Sequence, residues 1–415
     1  MAHQEAGSTA RAHSHWTGAV RRAALAGLAV PLVLVVGVTG VVPAAGSVVP
    51  GSIPDTTTRS ADQAVTSKAP ERPRLRVRTV VRGLANPWDV AQVGRRTYLV
   101  TERDSARLSV VRDGRRRTVR FPSSKVWVSG ETGLMSLAPA PRWKKRRLLH
   151  VCSGWETADG HDIRVTTWRL NRRLTRATKV RTLVKGIPND HGRHGGCRVL
   201  VDPSTRDVYV GTGDSADADT PQDLTSLAGK VLRVAERGGP ASGNPFAGAR
   251  NTRQRLLWTY GHRNVQGLAQ RRPGGTVWSV EQGTDRDDEV NRLAPGANHG
   301  WQPGPDYDES APMTDQSLPG VQVEAVWSSG RPTLATSGAA FVRGKRWGAW
   351  RGRLAVAALK ASRVLFLDTR SGAVATPRAL RRYGRLRSVA VARNGDLLLT
   401  TDNGVDDRVL RVSPR

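Results

Sequence analysis

The sequence predicts an all-β chain folded as a six-bladed β-propeller. Three observations lead there. One arrangement of strands and turns recurs six times, no long amphipathic helix interrupts it, and a lone strand near the start matches a strand missing at the end. Radial repetition lets many short strands hide their sheet edges, because each copy buries its faces against its neighbours.

Residues 1–46 come first. Arg21 and Arg22 precede the uncharged run AALAGLAVPLVLVVGVTGVV, which ends at PAAGS, where small residues suit a signal peptidase. The run is also long enough to span a bilayer. This segment is expected to be a signal peptide or a membrane anchor, and the remainder to be exported, either extracellular or on the outer face of the membrane. Residues 47–73 are rich in Pro, Ser, Thr, Ala and Asp without apolar periodicity and read as a flexible linker.

The propeller is expected over 74–415, opening with the lone strand RLRVRTVV at 74–81. The first copy, NPWDVAQVGRRTYLVTERDSARLSVVRDG at 86–114, consists of short apolar alternations separated by turns rich in Gly, Asp and Arg. The second is GLMSLAPAPRWKKRRLLHVCSG with DIRVTTWRLN, and the third CRVLVDPSTRDVYVGTGD with GKVLRVAE. The fourth is VQGLAQRRPGGTVWSVEQG with DEVNRLAPG, and the fifth ATSGAAFVRG with GRLAVAALKASRVLFLDTRSG. The sixth is LRSVAVARNGDLLLTTDNG with RVLRVSPR. Each copy supplies three strands, and the sixth lacks an outer one. Pairing it with 74–81 closes the ring.

Sixty-five Lys and Arg against thirty-five acids give a formal charge of +30. The arginines are scattered through every segment, and no helix-turn-helix, zinc finger or aromatic RNA platform is present, so nucleic acid is not expected as a partner. Association with an anionic cell envelope is. Cys152 and Cys197 are too few for structural zinc; outside the cytoplasm they are either a disulfide or two free thiols. AGKVL lacks the earlier glycine and the hydroxyl residue of a phosphate loop, and neither G-x-S-x-G nor H-E-x-x-H occurs, which excludes nucleotide-cofactor and serine-hydrolase chemistry.

Ligands of a propeller bind at one end of its channel, among the loops that enter and leave the inner strands. The blocks NPWDV, LVTER, GETGLM, HGGCRV, YVGTGD, QDLTSLAGKVLRV, YGHRNVQGLA, EQGTDRDDEVNRLAPGANHGW, AALKASRVLFL and GRLRSVAVARNGDLLLTTD lie there, from about Leu84 to the C-terminus. In their order and spacing the chain resembles the soluble sugar dehydrogenases that depend on pyrroloquinoline quinone (PQQ), the glucose and sorbosone dehydrogenase group, whose fold is a six-bladed propeller.

Read from the residues alone, His194 is a hydrogen-bonded loop histidine. The resemblance implies instead a general base: it stands four residues before Arg198, where the group places the histidine that takes the proton from the anomeric hydroxyl of a small sugar while hydride leaves C1 for the quinone. His191 has no matching position. Asp214 matches a residue that orients this histidine, and Glu131 a polar residue near the substrate; either reads equally as a loop cap. Arg263 and Asn264 match residues facing the quinone oxygens, and Gln266 a nearby polar contact, although Arg263 could simply pair with a carboxylate.

PQQ is a flat tricarboxylate, and Lys360, Arg385 and Arg387 match its binding cations, with the arginines at i and i+2 on one strand face. The resemblance also implies a Ca2+ ion held by the backbone carbonyls of Gly283 and Thr284. Asp287, Asp288 and Glu289 are either a second calcium site or a turn that neutralises arginines. Cys197, Val265, Ser136, Thr284 and Thr336 depart from the group's usual residues. The implied activity is oxidation of an aldose to the lactone, with electrons passed to an external acceptor. The alternative is a non-catalytic propeller that binds an acidic envelope glycan or a protein.

Overall fold

The computed structural model describes residues 71–415. The leader expected at 1–46 and residues 47–70 of the linker lie outside the described residues. Six four-stranded antiparallel sheets form the blades of a propeller. Their innermost strands are Pro87–Gly94, Leu134–Pro139, Gly196–Val201, Val265–Gln270, Thr336–Phe341 and Leu386–Val391. Each packs on the next, and the sixth packs on the first.

The ring closes as the lone strand requires. Leu75–Leu84 pairs antiparallel with Asp407–Pro414, so the sixth blade takes its outer strand from the start of the domain. The blades carry four strands, however, where the sequence showed three. The outermost strand of the first blade, Arg115–Thr118, is exposed at every position, and those of the fourth and fifth, Trp327–Ser328 and Val374–Ala375, are two residues long. Alternation cannot reveal a strand that buries nothing or is too short to alternate.

The core is six apolar clusters, one at each interface between neighbouring blades. Leu99, Leu108, Leu134 and Leu149 fill the seam of blades one and two. Val90, Val100, Leu398 and Val409 fill that of blades six and one. The middle strands bury both faces, so Leu397–Thr401 reads as an apolar run, not an alternation. Cys152 of the second blade and Cys197 on the inner strand of the third form a disulfide, with Cα atoms 5.7 Å apart. Cys197 adopts φ +67°, a left-handed conformation that glycine takes at little cost, which explains why glycine is usual there.

A buried polar plug divides the channel. Arg198 lies 4.0 Å above the Trp88 ring and donates to Asp89 Oδ2 at 2.8 Å and to the Gln266 carbonyl at 2.7 Å. Ser136 and Ser388 donate to the two Asp89 oxygens at 2.8 and 2.7 Å. Ser136, unusual for the group, thus ties the second blade to the first. One cavity, of about 340 Å³, opens among residues at the starts of the inner strands, including Asn86, Glu131, Gln266 and Arg385. Another, of about 300 Å³, opens at their far ends, among Ala91, Pro139, Val201, Gln270, Phe341 and Val391. All six inner strands therefore run the same way, from the first end, here called the mouth, to the second, the base.

Candidate active site

His194 sits in the loop that enters the inner strand of the third blade, with φ +47° and only 4% of its surface exposed. Its Nδ1 lies 2.8 Å from Asp214 Oδ1. Asp214 is fully buried beyond the second strand of the same blade, where the Ala216 amide also donates to Oδ1 at 2.8 Å. Its Oδ2 accepts from Trp301 Nε1 and from the Tyr307 hydroxyl, each at 2.7 Å. The Tyr307 oxygen is also 2.9 Å from His194 Nδ1. Burial and the Asp214 carboxylate beside it push the Tyr307 hydroxyl far above its ordinary range, so it stays a donor. An ionised carboxylate only accepts, which fixes the imidazole proton on Nδ1 and leaves Nε2 the unprotonated atom. No group among the described residues bonds Nε2.

Trp301 and Tyr307 carry no role in the sequence reading. Both lie in the long connection from Glu289–Arg292 to Trp327–Ser328, which crosses back over the third blade at Asn298. The block ANHGW, which ends at Trp301, was the available signal.

Arg263 precedes the inner strand of the fourth blade and is 4% exposed. Its Cζ is 5.7 Å from the Trp301 ring centre, so Trp301 touches both Asp214 and Arg263. Nη1 donates to the carbonyls of Gln282 and Gly283 at 3.1 and 2.7 Å, and Nε is buried without a partner. Glu281 accepts from the Arg263 amide at 3.0 Å and from His262 at 2.9 Å, which fixes the turn from behind.

Asn264 links this region to the mouth cavity. Its Oδ1 accepts from the Gly196 amide at 3.1 Å, and its Nδ2 donates to Glu131 Oε2 at 3.1 Å. Gln266 Nε2 lies 3.3 Å from Asn264 Oδ1, and its Oε1 accepts from Arg387 Nη1 at 3.1 Å. Arg387 also holds Asp402 Oδ2 from Nε and Nη2 at 2.9 and 2.8 Å. Arg385 is exposed at the rim and donates to the Asp402 carbonyl at 3.1 Å. The cavity is lined by Arg103, Arg385 and Arg387 together with Glu131, Gln266 and Asp402; Arg103 had no assigned role in the sequence. Lys360 is exposed on the next turn residue after Leu359, which lines the cavity.

These residues fit a planar polycarboxylate. Three guanidinium groups line one cavity, and behind its Gln282 the buried Arg263 Nε has no acceptor among the described residues.

The calcium expectation fits less well. The Gly283 carbonyl already accepts from a guanidinium, which a divalent cation on the same oxygen would repel. The second-calcium alternative is corrected outright, because the three acids diverge. Asp287 accepts from Ser328 at 2.7 Å. Asp288 caps the amides of Gly283, Leu334 and Thr336 at 3.1, 2.7 and 3.1 Å; the last bond exists only because Thr336 replaces a proline. Glu289 is buried beside Glu281, and burial and that neighbour hold its carboxyl well above the ordinary range. Asp287 and Asp288 lie in the turn before the strand Glu289–Arg292, and the left-handed backbone of Asp287, φ +61°, aims it away from its two neighbours. Among the described residues no three His, Cys, Asp or Glu side chains gather to hold a metal.

Residues 84–411 match the family described as glucose/sorbosone dehydrogenase. The aldose sugar dehydrogenase YliI of Escherichia coli K12 is 29% identical over 304 residues, 70% of this chain and 79% of its own. The crystal structure of the soluble aldose sugar dehydrogenase from Escherichia coli in its apo form superposes with a TM-score of 0.73 at 27% identity, covering 82% of this chain and all of that one. The PQQ-bound aldose sugar dehydrogenase of Streptomyces coelicolor gives 0.66 at 28% identity, covering 83% of this chain and all of that one.

Proposed function

The chain belongs to the glucose/sorbosone dehydrogenase family, and on that premise we propose that it is an exported quinoprotein that oxidises an aldose or related sugar at its anomeric carbon to the lactone, passing the electrons to an external acceptor. PQQ, when bound, supplies the hydride acceptor; Arg385, Arg387, Lys360 and Arg103 would hold its carboxylates. His194 Nε2 removes the proton of the anomeric hydroxyl as the C1 hydride departs. Asp214 stabilises the imidazolium that results, and Trp301 and Tyr307 hold that carboxylate in place. Arg263 and Asn264 would offer fixed positive charge and an amide donor to the oxygens of a bound quinone. Glu131, held by Asn264, faces the sugar.

The observation that carries this reading is the buried His194–Asp214 pair, backed by two further donors, whose loop is joined through Asn264 and Glu131 to a cavity lined by arginines. The test is to add PQQ, with and without Ca2+, to the purified protein, then measure quinone absorbance and sugar-dependent bleaching of a redox dye. The reading expects both signals. Neither signal with any aldose would overturn it in favour of a binding propeller.

A further inference from the structure

Many of the arginines that look scattered along the sequence are gathered by topology on one face. In an antiparallel four-stranded blade the first and third turns lie at one end and the second turn at the other. At the base, the first turn of every blade carries an exposed cation: Arg96, Lys144, Arg206, Arg272, Lys345 and Arg393 in blade order. Among the described residues of these six turns the only acids are Asp202, Asp207 and Asp396, and all three are buried. Two are paired with cations, and the third is satisfied by neutral donors. Asp207 pairs with Arg233 at 2.7 Å, Asp396 with Arg411 at 2.7 Å, and Asp202 accepts from Ser204, Gln270 and Gly274.

The outer turns at the same end add to the charge. A cavity of about 410 Å³ is lined by Arg112, Arg115, Arg117 and Arg173 against the single acid Asp113. Apart from Asp113, which pairs with Arg96 at 3.0 Å, and Glu71, the exposed acids are concentrated at the opposite end. Asp104, Asp217, Asp219, Asp285, Asp308 and Asp406 all stand on mouth loops. The molecule is thus electrically polarised along its channel axis.

The chain also enters the domain at the base. The Glu71 carbonyl accepts from Ala349 in the first turn of the fifth blade at 3.1 Å, and Arg74 pairs with Arg415. Residues 71–74 therefore lie on the cationic face.

From these two observations we propose that the base is a docking face for an anionic lipid bilayer, laid flat on the surface with the mouth directed away from it, open to soluble sugar. A broad patch of one sign, within a Debye length of a charged plane, is attracted as a whole, and each cation near an anionic membrane adds separately to the binding. The proposal does not depend on sugar oxidation.

The test uses the full chain with vesicles of phosphatidylcholine alone or mixed with phosphatidylglycerol. The ratio of binding to the two isolates charge from any contribution of the apolar run. The expected ratio is well above one. It falls on the order of a hundredfold when Lys144, Arg173 and Arg272 are all changed to Gln, at about fivefold per cation, and is unchanged by Lys125→Gln at the mouth. All are exposed, so melting curves serve to confirm folding. Hydrogen exchange on the anionic vesicles is expected to slow in the first turns of the blades and not in residues 190–195 or 214–220. A ratio of one, protection at the mouth loops, or displacement from the vesicles by short duplex DNA at equal charge would overturn the proposal.

Discussion

Changing Asp214 to Asn replaces a carboxylate by an amide of the same shape, in a site where four donors converge on the two oxygens. His194 and Ala216 point at Oδ1, and Trp301 and Tyr307 point at Oδ2. Whichever way the amide is turned, its NH2 faces two of those donors. Toward Oδ1 it meets the Ala216 amide and expels the His194 proton from Nδ1. Toward Oδ2 it meets Trp301, which cannot accept. Either way a charge-assisted bond is lost and a buried donor is left unpaired, together about 2–4 kcal/mol. That charge is needed most when His194 becomes a cation, so the loss falls on the transition state and lowers kcat by roughly 30- to 1,000-fold. The assay is dye-coupled turnover of the PQQ-loaded variant at saturating sugar, with quinone binding measured separately by absorbance. Stoichiometric quinone binding with kcat reduced in this range supports the reasoning. A variant that binds quinone and keeps kcat within a few-fold of the parent would refute it.

Three other outcomes are expected. Arg387→Leu leaves Asp402 buried without its guanidinium, and urea denaturation is expected to show a loss of about 3–5 kcal/mol together with weaker PQQ binding. Burial opposes ionisation of Asp402, yet Arg387 and Asn86 hold its carboxyl below the ordinary 3.8. Its folded value is therefore below its unfolded one; the stabilisation is complete above about pH 4 and lost as pH falls through the folded value. The parent should accordingly lose stability more steeply in acid than Arg387→Leu. Replacing both Cys152 and Cys197 by Ser opens a loop whose ends are 45 residues apart, and calorimetry is expected to show a loss of about 4 kcal/mol with quinone stoichiometry unchanged.

The strands that bury both faces, such as Leu397–Thr401, were legible because their apolar runs are bounded by turn residues. So was the closing strand, whose Val77 and Val81 alternate with arginines. Arg115–Thr118 was not, since a strand whose four side chains all face water leaves no pattern. The pairing of His194 with Asp214 became legible through resemblance; spacing alone left His194 a loop histidine. Tyr307 reaches the same pair from a connection with no periodicity, placed by its crossing at Asn298 rather than by local sequence. Asp287, Asp288 and Glu289 left a calcium site and a turn equally open, because adjacency in sequence does not fix where side chains point; the turn before Glu289–Arg292 sends them to separate partners. The grouping of arginines at the base was not legible either, because alternate turns of separate blades share an end only once the ring is closed.

The most direct measurement is single-turnover reduction of the PQQ-loaded protein by an aldose carrying deuterium at C1, followed by stopped-flow absorbance in the parent and in His194→Gln. The account predicts rapid bleaching in the parent, slowed severalfold by the deuterium, and quinone bound but unreduced in the variant. Equal bleaching rates in both proteins would show that the imidazole at the mouth does not take the proton.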